Sequence, residues 1–448
     1  MSHLHSHCVS APSSWALAAV AIAVSAAPVM ATSTAATADA AAAAIQLSPA
    51  DVAGGWEMLF DGTNARAFRG FQLPGMPESG WTIEDGCLVT NGVGADIITK
   101  RQFGDFELVL EWSASPGGNS GIMYRVTESD TATYRTGPEY QILDDAGFGD
   151  GVPADSMNSA GAIYAIAAPP ADKPLRPAGE FNEARVRLKD GLLSHFLNGV
   201  KVAEMDMDSG AFSSAVAASK FNEMPGFAKA AVGHIALQSH GAPIRFRNIR
   251  IRSFDAPMPG EIDLLAGDRM DQWTHHLNDD NATMADVWSI DDGVLRCAGN
   301  PVGYMRTNAT YQDYVIQLEW RFDPEKGPGN SGVLLRMIEE DKVWPRSVEA
   351  QLFSGAAGDF WNIGDFPMTV AADRTRGRNT QRTGTNERPL GAWNHYEIIV
   401  SGGDVVLNVN GQTLNSAADV MQVPGFICLQ SEGAYIEFRR VRLSEIDG

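Results

Sequence analysis

The sequence of 448 residues has few cysteines, no excess of basic residues and no apolar run long enough to cross a membrane comfortably. Its four cysteines are scattered, with neither disulfide-framework nor zinc-ligand spacing, which excludes a disulfide-stapled or zinc-ribbon domain. The 34 basic and 55 acidic residues give a formal net charge of -21, which repels nucleic acid and anionic lipid. We therefore expect no nucleic-acid partner and no membrane span in the mature protein.

The N-terminal region differs in composition from the rest of the sequence. An apolar, alanine-rich run from Trp15 to Val29 is shorter than a membrane span, and Ala31 follows it in an A-x-A-like cleavage site. The next residues are mostly Ala and Thr and cannot build a core. Residues 1–47 are therefore predicted to be a signal peptide followed by a flexible leader. The mature protein is expected to be periplasmic or secreted.

The remaining sequence repeats its motifs in the same order. Trp81-Thr-Ile-Glu-Asp-Gly86 recurs as Trp288-Ser-Ile-Asp-Asp-Gly293, and Leu110-Glu-Trp112 recurs as Leu318-Glu-Trp320. A proline-rich hinge separates the two copies. The sequence thus predicts two tandem domains, residues 48–254 and 260–448, joined by residues 255–259.

Short β-strands are the main secondary-structure signal within each copy. Asn198-Gly199 and its counterpart Asn410-Gly411 stand between apolar runs, and a type I′ hairpin turn needs positive φ at both such positions. One helical stretch, Ala211 to Ser219, has no counterpart in the second copy. Frequent short strands in units of about 200 residues predict an all-β fold, with two antiparallel sheets packed face to face in each copy.

Polar side chains occupy strand positions of the first copy where apolar residues are expected. Because side chains alternate along a strand, Glu139 and Gln141 share one face, and Gln238 and His240 share a face of a later strand. The same period places Arg125 on the polar face of the neighbouring strand. We predict that these five residues converge on one surface. The alternative for Arg125 is a purely structural role, in a cross-strand ion pair with Glu139.

Six motifs in this order resemble the 3-keto-disaccharide hydrolase domain family, also named for 3-keto-glucoside-1,2-lyase and 3-keto-2-hydroxyglucal hydratase activity. The resemblance implies a concanavalin-like β-sandwich for each copy and exported enzymes that act on sugars oxidised at C3. The motifs are Gly-Trp-x-x-Leu-Phe-Asp-Gly at 55–62, Asn-Ser-Gly-x-x-x-Arg at 119–125, Glu-Tyr-Gln-Ile-Leu-Asp at 139–144, Ala-Gly-Ala-Ile-Tyr at 160–164, Leu-Gln-Ser-His-Gly at 237–241 and Phe-Arg-Asn-Ile-Arg at 246–250.

The chemistry of a 3-keto-glycoside needs a base, an acid and a group that stabilises an enolate. A ketone at C3 makes the C2 proton acidic, so a base can drive β-elimination of the C1 substituent, and added water makes the outcome a hydrolysis. Glu139 and His240 are the candidates for base and acid, Asp144 is a further acid, and Arg125 is the candidate cation. The predicted substrate-binding residues are Asn119, Gln141, Gln238 and Tyr164.

A divalent metal ion of unknown identity is an alternative means of polarising the enolate. Glu139, Gln141 and His240 supply the oxygen and imidazole ligands that such an ion accepts. No nucleotide cofactor is expected.

The second copy departs from this pattern. Glu432 replaces His240, and Ser354 replaces Asp144, so we assign the chemistry to the first copy. The second copy is then degenerate, sugar-binding or a second active domain. Its equivalent residues are Arg336, Glu349, Gln351, Gln430 and Glu432.

Other functions compete with an enzyme acting on 3-keto-glycosides. A two-carboxylate glycosidase needs paired acids, and Gln141 stands where the second acid is expected. A non-catalytic, lectin-like carbohydrate-binding protein is the main alternative, and a scaffold of two inert sandwiches is the third. The strand period places no Trp or Tyr platform on the polar face, which disfavours the binding protein. Oligomeric state cannot be read from the sequence.

Overall fold

The computed structural model describes residues 45–268 and 270–446. The predicted signal peptide and most of the leader, residues 1–44, lie outside this range. In the described part of the chain, no helix has the length and apolar character of a membrane span.

The first β-sandwich consists of a five-stranded front sheet and an eight-stranded back sheet, whose strands pair antiparallel. The front sheet has the order Phe68–Gly70, Ile97–Thr99, His234–Leu237, Asn119–Val126 and Glu139–Leu143. The back sheet has the order Val200–Asp206, Leu192–Leu197, Asn182–Lys189, Phe106–Ala114, Ile244–Ser253, Cys87–Thr90 and Trp81–Glu84, and Glu57–Phe60 also pairs with Ile244–Ser253.

The second β-sandwich has eight strands in each sheet. Its front sheet has the order Trp273–Leu277, Gly303–Thr307, Phe426–Ser431, Gly332–Ile338, Arg346–Gln351, Phe360–Ile363, Asn379–Thr380 and Thr375–Arg376. Its back sheet has the order Trp288–Asp291, Val294–Cys297, Ile436–Glu445, Tyr314–Arg321, Asn394–Ser401, Asp404–Val409 and Gln412–Ala417, and Ile262–Asp263 also pairs with Ile436–Glu445. The predicted all-β fold of antiparallel sandwiches is thus confirmed.

The apolar core of each sandwich lies between its two sheets. The tryptophans of the repeated motifs, Trp81, Trp112, Trp288 and Trp320, are all buried there, as the sequence predicts. The cysteines of the described residues, Cys87, Cys297 and Cys428, are free and buried. They pack as small apolar side chains.

Turn geometry follows the local sequence. Asn198 and Gly199 have φ values of 48° and 81°, and Asn410 and Gly411 have φ values of 49° and 82°, as a type I′ turn requires. The predicted helix spans Gly210–Ala218, with the Ser209 side chain capping its first turn. The remaining helical segments are short: Pro49–Ala53, Thr133–Arg135, Lys220–Glu223, Ala266–Asp268, Met284–Val287 and Ala372–Arg374.

Buried charges link the two sandwiches through their back sheets. The Arg252 guanidinium pairs with Glu107 of the first sandwich at 2.7 Å and with Glu397 of the second. Lys189 Nζ lies 2.5 Å from Glu319 Oε1 across the same contact. Since these groups are buried on both sides, separating the sandwiches would leave unpaired charges, which is costly.

Candidate active site

Glu139 and Gln141 lie on the outer face of the first front sheet. They alternate with Tyr140 and Ile142, which point into the core. Although they face outward, they are only 6% and 4% exposed. Gly121 on the neighbouring strand makes room for the carboxyl, since a Cβ at that position would lie 2.1 Å from Glu139 Oε1. The outer face of the front sheet therefore holds a carboxyl group that is almost fully buried.

The protonation of Glu139 is set mainly by this burial. Loss of solvent raises the pKa of Glu139 to about 8, the positive charge of Lys220 opposes the rise, and the negative charge of Asp96 adds to it. A carboxyl with such a pKa is a stronger base, once ionised, than an ordinary glutamate.

The raised pKa of Glu139 predicts a pH-dependent cost in stability. This carboxyl ionises near pH 8 in the folded state and near its ordinary value of 4.5 in the unfolded chain. The free energy of unfolding therefore decreases as pH rises from 4.5 to 8. Glu139→Gln is expected to raise the free energy of unfolding by roughly 2–4 kcal/mol at pH 8.5 and far less at pH 4.5. Denaturant titration at both pH values measures this difference. The exposed Glu78→Gln serves as control, and an equal effect of Glu139→Gln at both pH values would contradict the assignment.

Lys220 supplies the positive charge next to Glu139, and the sequence analysis missed it. It follows the helix Gly210–Ala218, the insertion absent from the second copy. Its Nζ lies 4.3 Å from the centre of the Tyr164 ring and 5.6 Å from that of Tyr134. The Tyr164 backbone N–H in turn donates to the Glu139 carbonyl at 3.0 Å. Two aromatic rings thus hold the ammonium group beside the buried carboxyl.

Asp96 is a second residue that the sequence analysis missed. Its carboxylate accepts hydrogen bonds from Thr133 Oγ1 at 2.5 Å and from the Ser239 backbone N–H at 2.9 Å. Burial raises the pKa of Asp96, and these hydrogen bonds and the charge of His240 oppose the rise. Asp96 also acts on the pKa of Glu139, so it lies close enough to influence both predicted catalytic groups.

His240 is joined to the front sheet through Asn119. The Gln141 amide donates to Asn119 Oδ1 at 3.2 Å, and the Asn119 amide donates to His240 Nδ1 at 2.9 Å. Because Nδ1 accepts, the proton of the neutral imidazole is on Nε2. The exposed His240 ring therefore offers a donor to a molecule bound on this face. Gln238 lies on the same face. Ala236, two residues earlier in the chain, packs on the outer face of the sheet in an apolar cluster with Ile98, Met123 and Val126.

Arg125 does not share the face of Glu139, and this part of the predicted convergence is wrong. A bulge shifts the strand register, and Arg125 has a φ of 52°. Its guanidinium donates to the Gly104 carbonyl and to Asp105 Oδ1, each at 3.2 Å. Arg336 repeats this arrangement, with a φ of 48° and a contact of 3.3 Å to Asp313. Both arginines bind groups within their own sandwich. Arg125 does not pair with Glu139, and Arg336 does not pair with Glu349.

Asp144 also lies away from the face. Its Oδ2 accepts from the Gly117 backbone N–H at 2.8 Å and fixes the loop at the strand end. The adjacent Asp145 pairs with Lys173 at 2.7 Å. The structure therefore does not bring Asp144, the further acid predicted from the sequence, to the face of Glu139, because the Gly117 backbone N–H binds its carboxylate.

The metal ion predicted at Glu139, Gln141 and His240 stays a prediction. Within residues 45–268 and 270–446, no group of three or more His, Cys, Asp or Glu side chains could hold an ion. Asn119 occupies His240 Nδ1 and the Gln141 amide nitrogen, which leaves His240 Nε2 and the Gln141 side-chain oxygen as the atoms that could bind an ion.

The second front sheet places three of its five predicted equivalent residues around an open cavity of about 310 Å³, whereas Arg336 and Gln430 do not line it. Asn330, Glu349, Gln351 and Glu432 line it together with Arg378, Trp344 and Trp361. The expectation that the polar face lacks aromatic platforms is therefore wrong for this copy. Trp344 comes from a loop and Trp361 from the additional strand Phe360–Ile363, whose position the strand period of the motifs could not reveal.

Comparison with known proteins relates both sandwiches to one family. The model of the 3-keto-alpha-glucoside-1,2-lyase-like domain matches residues 55–252 and 260–444. A protein of Bacteroides thetaiotaomicron named 3-keto-disaccharide hydrolase is 33% identical over 238 residues, which span 46% of this chain and 81% of the relative. A crystal structure of a candidate glycosyl hydrolase from Parabacteroides distasonis ATCC 8503 is 31% identical, with a TM-score of 0.43, and covers 47% of this chain and 100% of that protein.

Proposed function

Because the chain belongs to the 3-keto-alpha-glucoside-1,2-lyase-like family, we propose that it is an exported enzyme that cleaves 3-keto-disaccharides and related 3-keto-glycosides. The name of its Bacteroides relative supports this hydrolase activity. We place the reaction on the front sheet of the first sandwich. The observation that carries this choice is the buried Glu139 carboxyl, which has a raised pKa, is influenced by the charge of Lys220 and shares the sheet face of the Asn119–His240 hydrogen bond.

In the proposed reaction, ionised Glu139 removes the C2 proton of the 3-keto sugar. Electrons of the C2–H bond form the enolate, whose negative charge develops on the C3 oxygen. The ammonium group of Lys220 stabilises that charge, in the role first predicted for Arg125. Pre-organised positive charge in a poorly solvated site lowers the barrier to proton removal more than it would in water.

The leaving group departs in the next step. Collapse of the enolate expels the C1 oxygen, which takes a proton from a water molecule while His240 Nε2–H donates a hydrogen bond to it. The resulting 3-keto-2-hydroxyglucal is unsaturated between C1 and C2. The hydroxide left by that water then adds its oxygen to C1 while Glu139 returns a proton to C2. The balance of these steps is hydrolysis of the glycosidic bond.

The pH dependence of the reaction tests this assignment. Because only the ionised form of Glu139 can accept the C2 proton, kcat/KM is expected to rise about tenfold per pH unit below pH 8 and to level off above it. Release of the aglycone from a 3-keto-glucoside measures the rate. A profile that is flat from pH 6 to pH 9 would be incompatible with Glu139 as the base.

A further inference from the structure

The second sandwich has an open cavity where the first has a covered site. In the first sandwich, Lys220 at the end of the inserted helix lies over the Tyr164 ring. Trp361 is the counterpart of Tyr164, because it pairs with Glu349 as Tyr164 bonds to Glu139. The second copy lacks the inserted helix, and its front sheet keeps a cavity of about 310 Å³, within the range typical of small-molecule sites.

The floor of this cavity holds buried polar atoms without partners, and Gln430, which lies next to the floor without lining it, adds two more. Glu349 Oε1 and both side-chain polar atoms of Gln430 have no hydrogen-bond partner in the described part of the chain, although these residues are only 5% and 1% exposed. Both converge over Gly332, where a Cβ would lie 2.2 Å from Gln430 Oε1 and 2.6 Å from Glu349 Oε1. Glu432 Oε2 and Asn330 Oδ1 are unpaired as well. Since leaving buried polar groups unpaired is costly, such a floor is suited to a ligand that supplies the missing hydrogen bonds.

The chemistry of the floor specifies a ligand rich in hydroxyl groups. The unpaired atoms of the residues that line the cavity are three oxygens, those of Asn330, Glu349 and Glu432. A hydroxyl group both donates and accepts, so it can bind these oxygens whether the carboxyls are ionised or protonated, whereas a ketone only accepts. A fully hydroxylated sugar therefore fits this floor better than the 3-keto sugar proposed for the first sandwich.

The aromatic walls and the charged groups of the cavity restrict the chemical class of the ligand further. Trp361 and Trp344 supply indole surfaces, and Trp344 is 46% exposed. An indole face packs against the apolar C–H face of a pyranose ring. Burial raises the pKa of Glu349, the charge of Glu432 adds to the rise, and Arg378 opposes it. Burial also raises the pKa of Glu432 to about 7, so the raised pKa values of both acids keep negative charge in the cavity low and the cavity suits a neutral ring.

We propose that the second sandwich is a separate binding site for the pyranose ring of a neutral, unoxidised glycoside. The ring stacks on Trp344 and Trp361, and its hydroxyl groups bond to Asn330, Glu349 and Glu432. Replacement of His240 by Glu432 thus changes the ligand that the front sheet accepts. It also gives this copy a function different from that of the first.

Calorimetric titration of the full chain tests this site with methyl glycosides of glucose, galactose and mannose. The Glu139→Gln variant is titrated alongside the unaltered chain, to separate binding at the second sandwich from events in the first. We expect saturable binding of at least one glycoside by both proteins. Trp344→Ala, which alters an exposed side chain, is expected to weaken it about tenfold. Glu432→Gln should also weaken binding, whereas Leu390→Ala, an exposed apolar change outside the cavity, should leave it unchanged.

Several results would overturn the proposal. They are the absence of saturable binding for all three glycosides, equal affinity in Trp344→Ala and the unaltered chain, and binding of choline in preference to the sugars. Turnover of a 3-keto-glucoside is measured separately on the same variants. Trp344→Ala is expected to retain it, so failure of the second site is distinguishable from failure of the reaction proposed for the first.

Discussion

Glu139→Gln is expected to lower kcat for cleavage of a 3-keto-glucoside about 10³-fold, the largest effect of any substitution discussed. The amide has nearly the same shape as the carboxyl but cannot accept a proton from C2. Positioned bases contribute roughly 10²–10⁴-fold to such reactions. Because neutral glutamine removes the cost of a buried charge, the variant should remain folded at the pH of the assay. Rate of aglycone release under substrate saturation measures the loss.

The second sandwich provides the matched control for this experiment. Glu349 occupies the same place in its own front sheet, next to Gly332 as Glu139 is next to Gly121. Glu349→Gln should leave turnover of the 3-keto-glucoside within about twofold of the unaltered chain. Glu349 lies in the other sandwich, so the only effect that its substitution could share with Glu139→Gln is a general loss of folded protein. Equal losses in the two variants, or a loss only in Glu349→Gln, would move the reaction out of the first sandwich.

Lys220→Met is expected to lower kcat about 10²-fold, the second largest effect. Methionine keeps much of the side-chain volume against Tyr134 and Tyr164 but removes the charge that stabilises the enolate. Loss of one group that stabilises developing negative charge typically costs about 10²–10³-fold. The exposed Lys229→Met, only a few residues further along the chain, is the control and should have little effect.

A second readout separates a chemical role of Lys220 from a merely structural one. Lys220 lowers the pKa of Glu139, so its removal should move the midpoint of the pH–rate profile upward. A slower enzyme with an unchanged midpoint would indicate that Lys220 only supports the loop. A normal rate in Lys220→Met would exclude it from the reaction.

Local sequence signals predicted the fold well because they report on local backbone geometry. The Asn198-Gly199 pair specified its turn through positive φ, and the repeated motifs carried the buried tryptophans of each core. Alternation also placed Glu139 and Gln141 on one face, since that strand runs without interruption.

Alternation failed where the backbone departs from a regular strand. The bulge at Arg125 leaves Met123 and Val126 on the same outer face, three residues apart, and turns the guanidinium toward Asp105. A period of two has no signal for such a bulge. Asp144 lies away from the predicted face for a related reason, because the Gly117 backbone N–H, in the turn before the neighbouring strand, binds its carboxylate.

Contacts over long sequence separations account for the residues that were missed. Lys220 follows an inserted helix, and Asp96 immediately precedes the strand Ile97–Thr99, which two other strands separate from the strand of Glu139. In the second copy, Trp361 belongs to a strand that the first copy lacks. Motif matching between the copies passes over such positions, since an insertion in one copy has no partner in the other.

The central claim is that Glu139 removes the C2 proton of a 3-keto sugar. The most direct test is to incubate the full chain with a 3-keto-glucoside deuterated at C2 and to follow both loss of the label and release of the aglycone. We expect the unaltered chain and Glu349→Gln to lose the label as the aglycone appears, and Glu139→Gln to retain it. Release of the aglycone with the C2 label intact, or equal loss of label in Glu139→Gln, would contradict the account.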